Sequence, residues 1–229
     1  MAARPRAAAS GQGQKPILDR RRSAYERIKQ AIVSGDFKPG ELMIETALAE
    51  WCEVSRTPIR EALTRLEQDG IVVRTDRGLM VRDDSPEDVL DLYETRIALE
   101  ATVARVAAER RTFHDLLQMR ELAEHMKAMD NSDPQAMVEA NDRFHRSVWR
   151  ASHNRSLMDL LDRLSLHLGR YPATTLSYPG RWERANDQHS ALLDAIEARE
   201  GDVAAERAAE HFTESRNIRL KLWTSGAPE

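Results

Sequence analysis

The apolar residues of this chain keep a helical period over most of its length, and they leave that period at one place. From Ser23, Tyr25, Ile28, Ile32 and Val33 fall on one helical face. Gly35 stops that helix, and Phe37-Lys38-Pro39-Gly40 is a turn. A second helix runs from about Glu45 to Cys52, with Ala47, Leu48 and Trp51 inward, and a short turn follows at Glu53-Val54. Ser55 or Thr57 can cap the next helix, whose first turn tolerates Pro58 because its N–H groups lack partners. That helix turns Ile59, Ala62, Leu63 and Leu66 inward and ends at Gly70. Then the period changes. Ile71-Val72-Val73 is a β-branched run, Asp76-Arg77-Gly78 a turn, and Leu79-Met80-Val81 a second apolar run, which together read as a hairpin. Helix, helix, turn, helix and hairpin within about 60 residues is the order of a winged helix-turn-helix.

After Ser85-Pro86 the pattern is helical throughout, in six segments near 86–110, 112–129, 133–152, 154–169, 181–199 and 202–223. Breaks fall at Asp133-Pro134, Ser152–Asn154, Tyr171-Pro172, Pro179-Gly180 and Gly201. The expected fold is mainly α: a winged head of three helices and a hairpin, joined to an antiparallel bundle of about six helices. The expected division is a disordered basic tail at 1–18, the winged head at 19–84 and the helical body at 85–225. Composition agrees. Hydrophobic residues at 41% can fill a core, and 10 Gly with 9 Pro exclude collagen and low-complexity chains. Cys52 is the single cysteine, which excludes a disulfide scaffold and fits a reducing interior. No apolar run approaches the roughly 20 residues of a membrane span, and MAARPRAAAS lacks the apolar core of a signal peptide. A cytoplasmic location, with no membrane partner, is expected.

The net charge of −4 hides an asymmetry. Residues 1–84 hold 15 Lys/Arg against 13 Asp/Glu, and residues 85–229 hold 19 against 25. Within the first 40 residues the balance is 9 basic to 3 acidic, with Arg20, Arg21 and Arg22 adjacent. A basic front on an acidic body predicts two parts with different partners.

The turn and third helix, Val54-Ser55-Arg56-Thr57-Pro58-Ile59-Arg60, carry the chemistry of a DNA reader. The second helix of a helix-turn-helix enters the major groove by its N-terminal residues. Arg56 and Arg60 share a face and suit bidentate bonds to guanine or phosphate. Ser55, Thr57 and the free N–H groups of the helix start can donate to phosphates. Arg77 and Gly78 sit at the hairpin tip, where Gly permits close approach and Arg suits a minor groove or phosphate.

The stretch SRTPIREALTRLEQDGIVVRTDRGLMV, with the upstream AYERIKQAIVSGDFKPGELMIETALAEWCEVS, resembles the DNA-binding signature of GntR-family bacterial transcription regulators. The resemblance implies contacts to double-stranded operator DNA from Ser55, Arg56, Thr57, Arg60, Arg77 and Gly78.

In the body, three of the seven histidines lie in line with apolar faces of separate helices. His145 falls with Val138, Asn141 and Val148; His189 with Leu192, Leu193 and Ile196; His211 with Ala204, Ala208, Ser215 and Ile218. They are either core histidines satisfied by ordinary hydrogen bonds or neutral imidazole ligands for a divalent metal, with Asn141 projecting from the same face as His145. His114, His125, His153 and His167 read as surface or structural residues, and Asn154 as helix punctuation.

LYETRIALEATVARVAAER, NDRFHRSVWRASHN and DQHSALLDAIEAREGDVAAERAAEHF resemble the FCD effector domain of the FadR subfamily, and six helices suggest its VanR-like group. The resemblance implies a divalent metal, Zn, Ni or Mn, at Asn141, His145, His189 and His211. Relatives carry Asp where Asn141 stands, and an amide oxygen is a neutral, weaker ligand; Asp142 is rotated by about 100° around the helix and does not replace it. It also implies a small carboxylate effector bound with help from Arg96, a homodimer, and a nucleoid-associated repressor. The competing reading of Arg96 is a salt bridge to Glu100 one turn on. A metal-dependent hydrolase using the three histidines is the alternative from another class, but no HExxH-type Glu or other base stands at motif spacing.

Overall fold

The computed structural model describes residues 23–83, 85–169 and 174–224. The expected tail at 1–18, the Arg20–Arg22 run, the boundary residue Asp84 and the Tyr171-Pro172 break lie outside them.

The head begins with α1 (Ala24–Val33), capped by a reciprocal pair of bonds between Ser23 and Glu26. It continues with α2 (Glu45–Cys52) and α3 (Arg56–Gln68). Strands β1 (Val72–Thr75) and β2 (Gly78–Val81) pair antiparallel, Val72 opposite Val81 and Thr75 opposite Gly78. Ile59, Ala62, Leu63 and Leu66 form the buried face of α3, as their spacing predicts. They meet Ile28 and Ile32 of α1, Leu48 and Cys52 of α2, and Ile71 in one cluster.

Three details of the head depart from the periodicity. Ala47 is exposed, and Cys52 takes the inward position one turn after Leu48. Val33 is half-buried, and Ala31 is inside instead. The segment after Gly40 also continues into the sheet: Leu42 bridges to Met80, and Met43 N–H donates to the Leu79 carbonyl at 2.8 Å. The wing thus gains a short third edge, which no alternation in Glu41-Leu42-Met43 announces.

The body consists of α4 (Pro86–Arg110), α5 (Phe113–Ala128), α6 (Pro134–Ala151), α7 (Arg155–Leu168), α8 (Arg181–Glu197) and α9 (Gly201–Thr224), with a 3-10 turn at Thr175–Ser177. Each break has a local cause. Ser85, Thr112, Asp133 and Asn154 cap α4, α5, α6 and α7 with their side chains, and Pro86 and Pro134 open α4 and α6. Helix α4 lies along α9 and also touches α6, α7 and α8. The core draws on Val103, Met119, Phe144, Trp149 and Ile196, all essentially inaccessible to solvent. Head and body meet where Gly70, at φ +67°, faces α7: a Cβ there would lie 2.7 Å from His167 Cε1. No described helix is long and apolar enough to cross a membrane.

Candidate functional site

The head presents an exposed cationic face. Ser55 is the N-cap of α3, yet its hydroxyl makes no capping bond, and Arg56 and Thr57 are exposed beside it. Among the described residues Arg56 and Arg77 have no ion pair. Arg60 is engaged: its Nε and Nη2 reach the Glu45 carboxylate of α2 at 3.2 Å, which raises its pKa and ties the two helices of the motif. Arg77 occupies the two-residue turn between β1 and β2, and Gly78 follows at φ +123°, a conformation that L side chains rarely adopt.

Several described arginines of the head serve the head itself. Arg27 Nη1 donates to the Cys52 carbonyl at 2.6 Å, closing the end of α2. Arg74 pairs with Glu67, and Arg65 lies over the Tyr25 ring at 4.0 Å. Among the described residues, the turn and the wing tip each present an exposed arginine without an ion pair, Arg56 and Arg77.

The body brings together what the sequence separates. His145 of α6, His189 of α8 and His211 of α9 are 2%, 1% and 3% exposed, and one ligand atom from each lies within 4.8 Å of the others. Phe144 stacks on His189 at 4.4 Å, and Phe212 lies against His145 at 4.9 Å and His211 at 4.8 Å. Burial holds all three imidazoles neutral. It depresses the His189 pKa to about 3 with help from the Arg181 cation, and it drives His145 and His211 well below the usual range, with their neighbouring histidines next in effect.

Neutral imidazole is the ligand form. His145 Nε2 and both His189 nitrogens are buried without a hydrogen-bond partner. So is Oδ1 of Asn141, one turn before His145. One nitrogen from each of the three histidines and the Asn141 amide oxygen make a donor set that fits a borderline divalent cation. Asp142 turns away and binds Arg146, which also holds Asp162. Val138, expected on the His145 face, is exposed near the start of α6.

Arg96 makes the salt bridge weighed for it, and it also lies next to the histidines. Its guanidinium lies 4.3 Å over Phe212, beside the histidine cluster, and its Nε is 3.4 Å from Glu100. Glu100 is 2% exposed and accepts from Trp149 Nε1 at 2.8 Å; burial lifts its pKa to about 7 against the pull of Arg96. The sequence points to Glu100 only as a salt-bridge partner of Arg96, and Trp149, Gln188 and the buried Arg181 go unmarked, because each looks like an ordinary helix residue until the helices pack. The other histidines are peripheral. His153 pairs with Asp115, His114 and His125 are exposed, and Asn154 caps α7.

Residues 20–79 match the family described as bacterial regulatory proteins, gntR family, and residues 91–214 match the FCD domain. The chain is 32% identical over 195 residues to the uncharacterized HTH-type transcriptional regulator YdhC of Bacillus subtilis (strain 168), covering 82% of this chain and 85% of that one. It is also 32% identical over 212 residues to the galactonate operon transcriptional repressor of Escherichia coli (strain K12), covering 83% and 92%. The fold is similar to that of E. coli McbR/YncC, with a TM-score of 0.72 at 23% identity over 87% of this chain and 96% of that one. YdhC and the galactonate operon repressor are transcription regulators, not hydrolases. The chain belongs to the GntR family of bacterial transcription regulators, with a winged DNA-binding head and an FCD domain for its body.

Proposed function

We propose that this protein is a homodimeric, ligand-responsive repressor whose body holds a divalent metal and a small carboxylate, and whose head releases DNA when that carboxylate binds. Ser55, Arg56, Thr57 and Arg60 would meet bases and phosphates in the major groove, with Arg77 and Gly78 touching the backbone or minor groove. Asn141, His145, His189 and His211 would hold a Zn, Ni or Mn ion. A bound ion would supply a Lewis-acidic point for the effector carboxylate, and Arg96 a cation beside it.

The observation that carries the reading is the set of orphaned buried atoms on Asn141, His145 and His189. A buried polar atom without a partner costs about 1–3 kcal/mol, and one ion would satisfy Asn141 Oδ1, His145 Nε2 and one of the two His189 nitrogens. The carboxylate reading of the effector is supported by the relative named as the galactonate operon transcriptional repressor, galactonate being a sugar carboxylate. To switch DNA affinity, the effector must favour one state of the protein over the other, typically by about 1–3 kcal/mol.

The test has two arms. Purified protein is titrated onto DNA from upstream of its own gene at several salt concentrations, and metal-stripped protein is melted with Zn, Ni or Mn and a panel of carboxylates and sugar acids. Salt-sensitive, sequence-preferring binding and a rise in Tm with metal are expected. Binding without sequence preference removes the operator reading, and an unmoved Tm with every metal removes the metal.

A further inference from the structure

The three histidines of the cluster differ in how they are held. Both nitrogens of His189 and Nε2 of His145 are buried and unpartnered, whereas Nδ1 of His211 lies 2.9 Å from Gln188 Oε1. Gln188 is itself locked from two sides. Its Nε2 donates to Glu214 Oε2 at 2.7 Å, and its Oε1 accepts from Arg181 Nη1 at 2.7 Å. Turning the amide over would set its NH2 group against a guanidinium and its oxygen against a carboxylate, so the charges on either side fix its orientation.

An amide oxygen can only accept. The Nδ1 atom facing it at 2.9 Å therefore carries the proton, and a neutral imidazole with Nδ1–H has its lone pair on Nε2. Arg181 pulls the other way. Its Nη2 is 3.3 Å from the same Nδ1 and would favour that nitrogen as an acceptor. Those N–H groups have other takers, Ser215 Oγ at 3.0 Å and the His211 carbonyl at 3.4 Å. Gln188 decides between the two tautomers.

We propose that Gln188, clamped between Glu214 and Arg181, is a positioning residue that fixes His211 as the Nδ1–H tautomer and so reserves Nε2 for a metal ion. The metal part of this rests on the function proposed above; the tautomer does not. Ligating histidines commonly donate their second N–H to a carboxylate or carbonyl, which sets the ring and raises its basicity. Here an amide relays the Glu214 carboxylate to the imidazole. His211 is thereby set before any ion arrives, while His145 and His189 have no such support among the described residues.

The test uses the full chain labelled with nitrogen-15. At neutral pH and without metal, long-range proton–nitrogen spectra of the imidazoles read the tautomer directly, and zinc titration of the same samples reads affinity. Wild type is expected as Nδ1–H at His211. Gln188→Leu, confirmed folded by circular dichroism, is expected to move the proton to Nε2, with Arg181 as the new donor to Nδ1. Its zinc affinity should fall about 10- to 100-fold. The exchanged pair Gln188→Glu with Glu214→Gln keeps an acceptor at 188 for His211 and moves the donor of the 188–214 bond to 214, and should restore both readouts. A wild-type spectrum with Nε2–H overturns the proposal, as does a folded Gln188→Leu protein that keeps Nδ1–H. Unchanged zinc affinity after a tautomer switch overturns the reservation of Nε2. Nδ1–H in a wild type that takes up no zinc supports the tautomer and removes the metal reading.

Discussion

The head and the body solve opposite electrostatic problems. In the head, Arg56, Arg60 and Arg77 stand in water. Their charge costs nothing to keep there, and their reach is set by screening over roughly 8 Å. In the body, His145, His189 and His211 are almost wholly enclosed, and burial strips them of charge. A surface that reads a polyanion needs cations at the right spacing on one helix and tolerates loose packing around them. A site that holds a neutral donor set needs three helices to arrive together and to exclude water. Substitutions should therefore separate the two: surface changes in the head move DNA affinity without stability, and changes beside the cluster move both stability and ligand binding.

The largest expected effect tests the dependence of the buried site on packing. Phe144→Ala removes a fully buried ring stacked on His189 and should cost about 3–5 kcal/mol in denaturant unfolding. Metal-induced stabilisation should shrink with it. A loss under about 1 kcal/mol would mean that the cluster collapses to fill the gap and is not rigidly packed.

Next in size is the pH dependence of Glu100. Burial raises its pKa to about 7, so the folded protein holds this proton where the unfolded chain has already released it. The group's contribution is full below the unfolded carboxylate pKa and is lost as pH rises to about 7, on the order of 3 kcal/mol in all. Glu100→Gln keeps the acceptor for Trp149 at every pH. Unfolding free energies of wild type minus variant, measured from pH 4.5 to 8, should fall across that window; a flat difference would place the carboxylate in a more polar setting.

Arg56→Ala should weaken operator binding by about 1–3 kcal/mol, with relaxed sequence preference if Arg56 reads a base, and should leave Tm where it was. A Tm shift of several degrees would show that Arg56 supports the fold instead. The smallest contrast compares two caps. Asn154→Ala loses a bond from Leu157 N–H and should cost about 1 kcal/mol. Ser55→Ala loses no capping bond and should leave stability unchanged while reducing DNA affinity. Equal losses at the two positions would erase the distinction between a structural cap and a contact residue.

Local interactions made much of this legible beforehand. The inward face of α3, the helix breaks at Ser85-Pro86, Asp133-Pro134 and Asn154, and the hairpin around Asp76-Arg77 all follow from contacts within a few residues. The six helices of the body fall within a residue or two of their expected limits for the same reason. Helical spacing also placed the three histidines on inward faces. It could not say that those faces converge, because 44 and 22 residues of chain separate His145 from His189 and His189 from His211.

What the sequence determined by itself is the order of elements, the cationic turn between α2 and α3, and the kind of chemistry each part carries, since all of these depend on period and charge along the chain. Only the tertiary structure decided that Leu42 would join the wing, that Arg60 would be held by Glu45, that Glu100 would keep a proton near neutrality, and that Gln188 would choose the tautomer of His211. Those outcomes depend on which side chains share a buried volume, and that is set by packing between distant segments.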